Sequence, residues 1–185
     1  MYILANWWEF TTQTTEQCHH KISDYWVHSN LSLDMPSIFQ NKETPTHFLS
    51  WQELSIAPES LVDSVECLEA SFIGQLQCDV GDADQHAPWI YIVHTDIPAD
   101  IVDEYNQWYD EEHLPRLVTV TGVHRARRYI CEGQSPKYLT AYSLANPDAF
   151  ESPEGLIARK TPWTAKMRSL FFNTRRTMAK QYDFS

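Results

Sequence analysis

The order of elements legible in the second half of the chain constrains its fold more than any other feature. Trp89-Ile90-Tyr91-Ile92-Val93-His94 is a β-rich run. Pro98 suits the first turn of a helix, and Asp100, Asp103 and Glu104 suit its positive end. Pro115 biases the residue before it away from helical angles, so the spacing predicts that this helix stops at about His113-Leu114. Val123 to Ile130 reads as a strand, Glu132-Gly133-Gln134-Ser135-Pro136 as a turn, and Tyr138 to Leu144 as the hairpin partner. Asn146-Pro147-Asp148 opens a second helix reaching about Lys160, and Met167 to Thr174 is read as a last strand. The order is β-α-β-β-α-β.

The first half repeats that order in degraded form. His47 to Leu54, followed by Ala57-Pro58-Glu59 and a helical stretch to about Ala70, parallels Lys137 to Leu144 and the helix that follows it. Tyr2 to Trp7 matches the strand at 90–95, and Thr15 to about Leu31 matches the helix at 98–114. The acidic stretch Asp79 to Asp84 marks the boundary, which gives units 1–85 and 86–185. Each unit makes a four-stranded antiparallel sheet with helices on one face, and the two bare faces have an evident partner in each other. The expected class is α+β, tandem βαββαβ units forming an α/β barrel within one chain, with homodimerisation left open.

Charge is split along the same line. Residues 1–88 hold two basic side chains, Lys21 and Lys42, against thirteen acidic ones, while 89–185 hold twelve of each. A body with a formal net charge of −11 repels polyphosphate, so nucleic acid is not an expected partner. No run approaches the roughly 18 apolar residues of a membrane helix, and Met1 leads into no basic n-region or cleavage site. A cytoplasmic protein with no membrane partner is expected. Cys18, Cys67, Cys78 and Cys131 form no C-x-x-C pair, which reads as reduced thiols. Cys18-His19-His20 are adjacent on a helix, where side chains point about 100° apart and cannot close on one ion unaided. No metal is expected there.

One helix row could carry chemistry. Ile101, Tyr105, Trp108, Tyr109 and His113 share a side of the predicted helix, facing the sheet, while Asp103, Glu104, Asp110 and Glu111 take the wet side. The helix C-terminus and Asp110, Glu111 and Glu112 favour protonated His113, so its pKa is expected above the ordinary value of about 6.5 unless burial offsets them. Such a group is either a general acid or base facing a cavity, or a plain helix cap packed under a loop. His94 ends its strand and either projects towards the helices near His113 or sits at the rim. Tyr91, Tyr129, Tyr138 and Tyr142 are strand aromatics that packing explains, and a Tyr hydroxyl in a cavity is also an oxyanion donor. Arg125 and Arg127 share one strand face and Arg128 takes the other. Trp163, after Thr161-Pro162, either closes the site or packs a corner.

The phrase Tyr105-Asn106-Gln107-Trp108-Tyr109-Asp110-Glu111-Glu112-His113-Leu114-Pro115, followed by Thr121-Gly122-Val123-His124-Arg125-Ala126-Arg127-Arg128-Tyr129, resembles the WYxxxH[LI]P…PG…RY signature of the EthD-like branch of the dimeric α/β barrel superfamily. The resemblance covers about residues 89–175 and implies ferredoxin-like βαββαβ units. By position the motif's His is His113, its aromatics are Trp108 and Tyr109, and its strand basic residues are Arg127 and Arg128. Thr121 stands where the family usually has Pro. The first half lacks the signature; Trp26-Val27-His28 is its nearest relic, so one working site is expected, in the second unit.

Superfamily members include lactone isomerases, polyketide cyclases, decarboxylases, cofactor-free monooxygenases and haem enzymes. The resemblance therefore implies a cofactor-independent isomerase or lyase-type enzyme, performing lactone rearrangement, dehydration or cyclisation on a small apolar molecule, aromatic or lactone-like. His113 is the expected acid–base catalyst, with Tyr105, Trp108, Tyr109, His94, Arg127, Tyr129, Tyr138 and Trp163 as substrate-binding residues. The alternatives are a cofactor-free monooxygenase, a non-catalytic ligand-binding or assembly protein, and a haem protein with His113 or His94 on the iron.

Overall fold

A computed structural model describes residues 1–11, 13–28, 35–58 and 67–182. The chain divides into two compact units, Met1–Gln75 with Met178–Ser185, and Leu76–Thr177. Two long strands, β4 (Leu68–Gly81) and β8 (Phe172–Gln181), contribute to both. Among the described residues no helix is long and apolar enough to cross a membrane.

In the first unit, β1 (Tyr2–Glu9) pairs antiparallel with β3 (His47–Leu54), Tyr2 opposite Leu54 and Glu9 opposite His47. Its other edge pairs with β4, with a register shift between Trp7 and Trp8. β2 (Ser37–Asn41) lies against β3 and takes the end of β8, giving the order β4-β1-β3-β2-β8. Helix α1 (Thr15–His28) covers one face, where Cys18, Ile22 and Trp26 pack with Leu4, Trp8, Phe10 and Phe48. The expected helix to Ala70 is corrected at its end, since Leu68, Glu69 and Ala70 open β4. From Phe72 onward that strand alternates more and less exposed residues with period two, the signature of a pleated chain and not of a helix. The start of that expected helix, from Glu59, and residues 29–31 of the first helix lie outside the described residues.

The second unit has β7 (Tyr138–Leu144) between β5 (Trp89–Asp96) and β6 (Val123–Ile130), all antiparallel, in the order β8-β5-β7-β6-β4. Along β5, Tyr91, Val93 and Thr95 face the helices, and opposite them on β7 stand Tyr142, Thr140 and Tyr138. Ile90, Ile92 and His94 take the other face.

The helix after β5 does not stop at His113. A 3₁₀ turn (Ala99–Ile101) leads into α2 (Val102–Trp108), a π-turn (Tyr109–His113) and α3 (Leu114–Leu117). The N–H of Leu114 donates to the Tyr109 carbonyl five residues back, and Pro115 falls in the first turn of α3, where the missing donor is tolerated. Gly122, at φ +88°, turns the chain into β6. Its neighbour Thr121 donates its N–H to Glu154 Oε2 at 3.3 Å, a bond that a Pro in that position would lack.

The helix expected to reach Lys160 is broken at Ser152, between a 3₁₀ turn (Ala149–Glu151) and α4 (Pro153–Ala158), which Ser152 caps by accepting from the Gly155 N–H at 3.0 Å. The strand expected from Met167 is a second correction. Met167 to Ser169 finish α5 (Pro162–Ser169), and β8 begins at Phe172. Thr161 and Pro162 explain this: the Thr161 hydroxyl accepts from the Thr164 N–H at 2.9 Å, and Pro162 occupies a first-turn position.

Candidate active site

Tyr105, Trp108, Tyr109 and His113 are all buried against the sheet, as their shared row predicts. The His113 ring stacks on the Trp108 indole, centroids 4.1 Å apart with 27° between planes, and meets Tyr109 edge-on at 5.3 Å. Each neighbour is pinned. Trp108 Nε1 donates to Thr164 Oγ1 of α5 at 3.2 Å, and the Tyr109 hydroxyl accepts from Thr140 Oγ1 of β7 at 3.0 Å. Glu112, beside His113, accepts from Thr161 Oγ1 at 2.5 Å, which ties the start of α5 to the π-turn. Arg128 locks α2 from below, donating to Asn106 Oδ1 at 2.9 Å, pairing with Asp110 at 3.5 Å and lying 5.2 Å from the Tyr109 ring centroid.

A cavity of about 30 Å³ opens beside this row, enough for a water molecule or two. His113, Trp108 and Tyr109 form one wall, Tyr91, Val93 and Tyr142 contribute from the sheet, Leu117, Phe150 and Phe171 add apolar surface, and Arg159, Arg168 and Arg176 supply the positive charge. His113 is only 4% exposed, and burial first, then the Arg168 charge, pushes its pKa down to about 3. This corrects the expected upward shift. The helix runs on to Leu117, so its negative end lies a turn beyond His113, and Asp110 and Glu111 are exposed to screening water. The imidazole is neutral at neutral pH. Its Nδ1 is buried with no hydrogen-bond partner, which leaves Nε2 to meet a ligand. Burial holds the Tyr142 hydroxyl well above its ordinary pKa, so it stays protonated and able to donate.

Only part of the expected set converges here. Trp108, Tyr109 and His113 line the cavity. Tyr105 and Tyr138 pack behind it, their rings 4.9 Å apart and Tyr105 4.8 Å from Tyr109. Trp163 lies on α5 with Nε1 donating to Glu104 Oε1 at 3.2 Å. Strand alternation puts His94, Arg127 and Tyr129 on the opposite face of the sheet. Arg127 donates there to Ser143 Oγ at 3.2 Å, and burial pushes His94 down to about 4. The charged lining residues that sequence reasoning missed, Arg159, Arg168 and Arg176, sit at the end of α4, on α5 and on β8. The Thr161-Pro162 helix start is the signal that places Arg168.

The sequence matches no protein-family model, and no curated protein matches it. Solved structures do. A haem-degrading enzyme from Listeria monocytogenes superposes with a TM-score of 0.64 at 8% identity, covering 98% of this chain and 100% of its own. A monooxygenase-like protein from Listeria innocua gives 0.63 at 11% identity, covering 99% and 95%. An anthrone oxidase-like protein gives 0.61 at 8% identity, covering 98% and 91%. The chain has the ferredoxin-like dimeric α/β barrel fold.

Haem is what the Listeria monocytogenes neighbour degrades, and the residues at His113 do not fit it. A site for a ligand of that size needs several hundred Å³, whereas the cavity offers about 30 Å³ and Trp108 covers one face of the imidazole. Among the described residues no group of three His, Cys, Asp or Glu could hold a metal ion.

Proposed function

We propose that the second unit is a cofactor-independent enzyme of the EthD-like branch, isomerase or lyase in type, acting on a small organic molecule with an acidic proton beside a carbonyl. His113 Nε2 takes that proton, the Tyr142 hydroxyl donates to the oxygen on which charge gathers, and the imidazolium returns the proton at a new position. The observation that carries this reading is a neutral imidazole clamped between Trp108 and Tyr109 at the wall of a cavity. Burial keeps the base wholly in its acceptor form. An anion forming against the ring raises its proton affinity, because the imidazolium then has a counter-charge. The space suits only the reacting end of a substrate, with an apolar, aromatic or lactone-like body extending through the mouth.

The test works whichever product forms. Lactones and hydroxyaryl ketones are incubated with the protein in D2O, and deuterium uptake is followed by mass spectrometry. Enzyme-dependent uptake that His113→Gln abolishes is expected, with thermal unfolding confirming that the variant is folded. Equal uptake by both proteins overturns the assignment. If neither exchanges a proton but both bind the same compound, a ligand-binding protein is the better description.

A second reading, a cofactor-free monooxygenase, begins with the same deprotonation. It draws support from the monooxygenase-like and anthrone oxidase-like neighbours. There the carbanion reacts with O2, a CH2 becomes C=O and water leaves. Oxygen uptake matching product one to one separates it from proton transfer alone.

A further inference from the structure

The guanidinium groups of the second unit divide into those the chain employs and those it leaves free. Arg125 pairs with Asp79, Arg128 with Asp110 and Asn106, and Arg159 with Glu151, while Arg116 donates to the Ala158 and Ile157 carbonyls. Arg168 and Arg176 make no ion pair or hydrogen bond among the described residues, and both line the cavity. Acidic side chains are not scarce, since residues 89–185 hold as many as basic ones. The charge of Arg168 nonetheless reaches inward: it is among the causes that lower the proton affinity of His113, Tyr109 and Tyr142. Two cations with no internal partner thus flank an aromatic cavity whose base is uncharged.

We propose that the ligand is a small organic carboxylate, its anion held at the open mouth of the cavity by Arg168 and Arg176, both solvent-exposed, and its reacting end directed inward at Trp108 and His113. Planar guanidinium forks match the two oxygens of a carboxylate and form charge-assisted bonds with it. This deepens the enzymatic reading above and rests on it for the reacting end of the molecule. The carboxylate anchors the substrate, while the acidic proton beside the carbonyl meets His113.

Binding of benzoate, of benzamide as its neutral isostere and of phenyl phosphate is measured by calorimetry on the full chain at two salt concentrations. Benzoate is expected to bind at least about tenfold more tightly than benzamide, and to weaken as salt rises. Arg168→Gln and Arg176→Gln should each cost benzoate about tenfold and leave benzamide unchanged. Arg175→Gln is the control, since alternation turns Arg175 to the other face of β8. Equal binding of benzoate and benzamide, binding of neither, or a benzoate affinity unmoved in both variants overturns the proposal. A preference for phenyl phosphate overturns the carboxylate assignment in favour of a phosphate ester. Benzoate retained by His113→Gln, in a protein that exchanges no substrate proton, keeps the ligand class and removes the enzymatic reading. Proton exchange on neutral lactones without charge preference does the reverse.

Discussion

The helix-facing sides of the two sheets are built on the same frame and filled differently. On β3 that side carries Phe48, Ser50, Gln52 and Leu54; on β7 the matching positions carry Tyr138, Thr140, Tyr142 and Leu144. In the first unit Ile22, Trp26 and Cys18 of α1 close over Leu4, Trp8 and Phe48 as an apolar core. Ser50 Oγ accepts there from Trp8 Nε1 at 2.9 Å and from Asn6 Nδ2 at 3.2 Å. The second unit places tyrosines, a histidine and Arg128 in the equivalent layer, and a cavity remains. Largely apolar side chains, aromatic ones included, can fill a space at native density, whereas hydroxyl-bearing and charged ones also have to satisfy fixed donor directions. One frame thus carries an apolar core in the first unit and the candidate site in the second.

The contrast breaks most sharply at His113. His113→Gln should lower turnover by roughly 10² to 10⁴ in the deuterium-exchange assay, the usual contribution of an acid–base group. Because His113 is buried within a continuous helix, and not at its end, the Ala variant would also lose packing, so Gln is the cleaner probe. In the first unit the counterpart is Trp26→Ala. It should cost about 3 to 5 kcal/mol of stability, read as a lower denaturant midpoint, and leave exchange per folded molecule unchanged. A loss of exchange there would end the division between wall and site.

Acid should act through the second unit. Burial lowers the folded-state pKa of His113 to about 3 and of His94 to about 4, whereas the unfolded chain binds those protons near 6.5. Between these values the unfolded state holds more protons, so stability falls as pH drops below about 6.5 and keeps falling towards the folded-state values. From pH 8 to pH 5 each group removes about 2 kcal/mol, together about 4, and His94→Gln should halve the effect. Denaturant unfolding at the two pH values checks this; a flat profile would mean that neither ring is sealed. The smallest effect is expected from Thr164→Val, which takes the acceptor from Trp108 Nε1 at a cost of about 1 kcal/mol and should loosen the stack on His113, seen as a shifted indole N–H resonance.

The sequence by itself determined the elements whose signals are local. Strands 47–54, 123–130 and 138–144 are legible from β-rich composition between turns, and the buried row Tyr105, Trp108, Tyr109, His113 from helical spacing. The failures occur where a local signal has two outcomes. Pro115 is a helix breaker unless a π-turn precedes it, and Leu68 to Ala70 fit a helix end as well as a strand start until β1 supplies a partner. Tertiary structure alone decided which side of the sheet each strand residue serves. Period-two alternation says that Arg127 and Arg128 face opposite ways, but only the packing of Tyr105 of α2 against Tyr138 and of Tyr109 of the π-turn against Thr140 shows that Arg128 has the helix side and that His94 and Tyr129 do not. The proton affinity of His113 belongs to the same class. Sequence neighbours argued for an upward shift, whereas burial, a property of the folded surroundings, moved it down. Arg168 and Arg176 were legible only as charges, because the cavity they line is assembled from elements distant in sequence, α5 and β8 meeting the helix that carries His113.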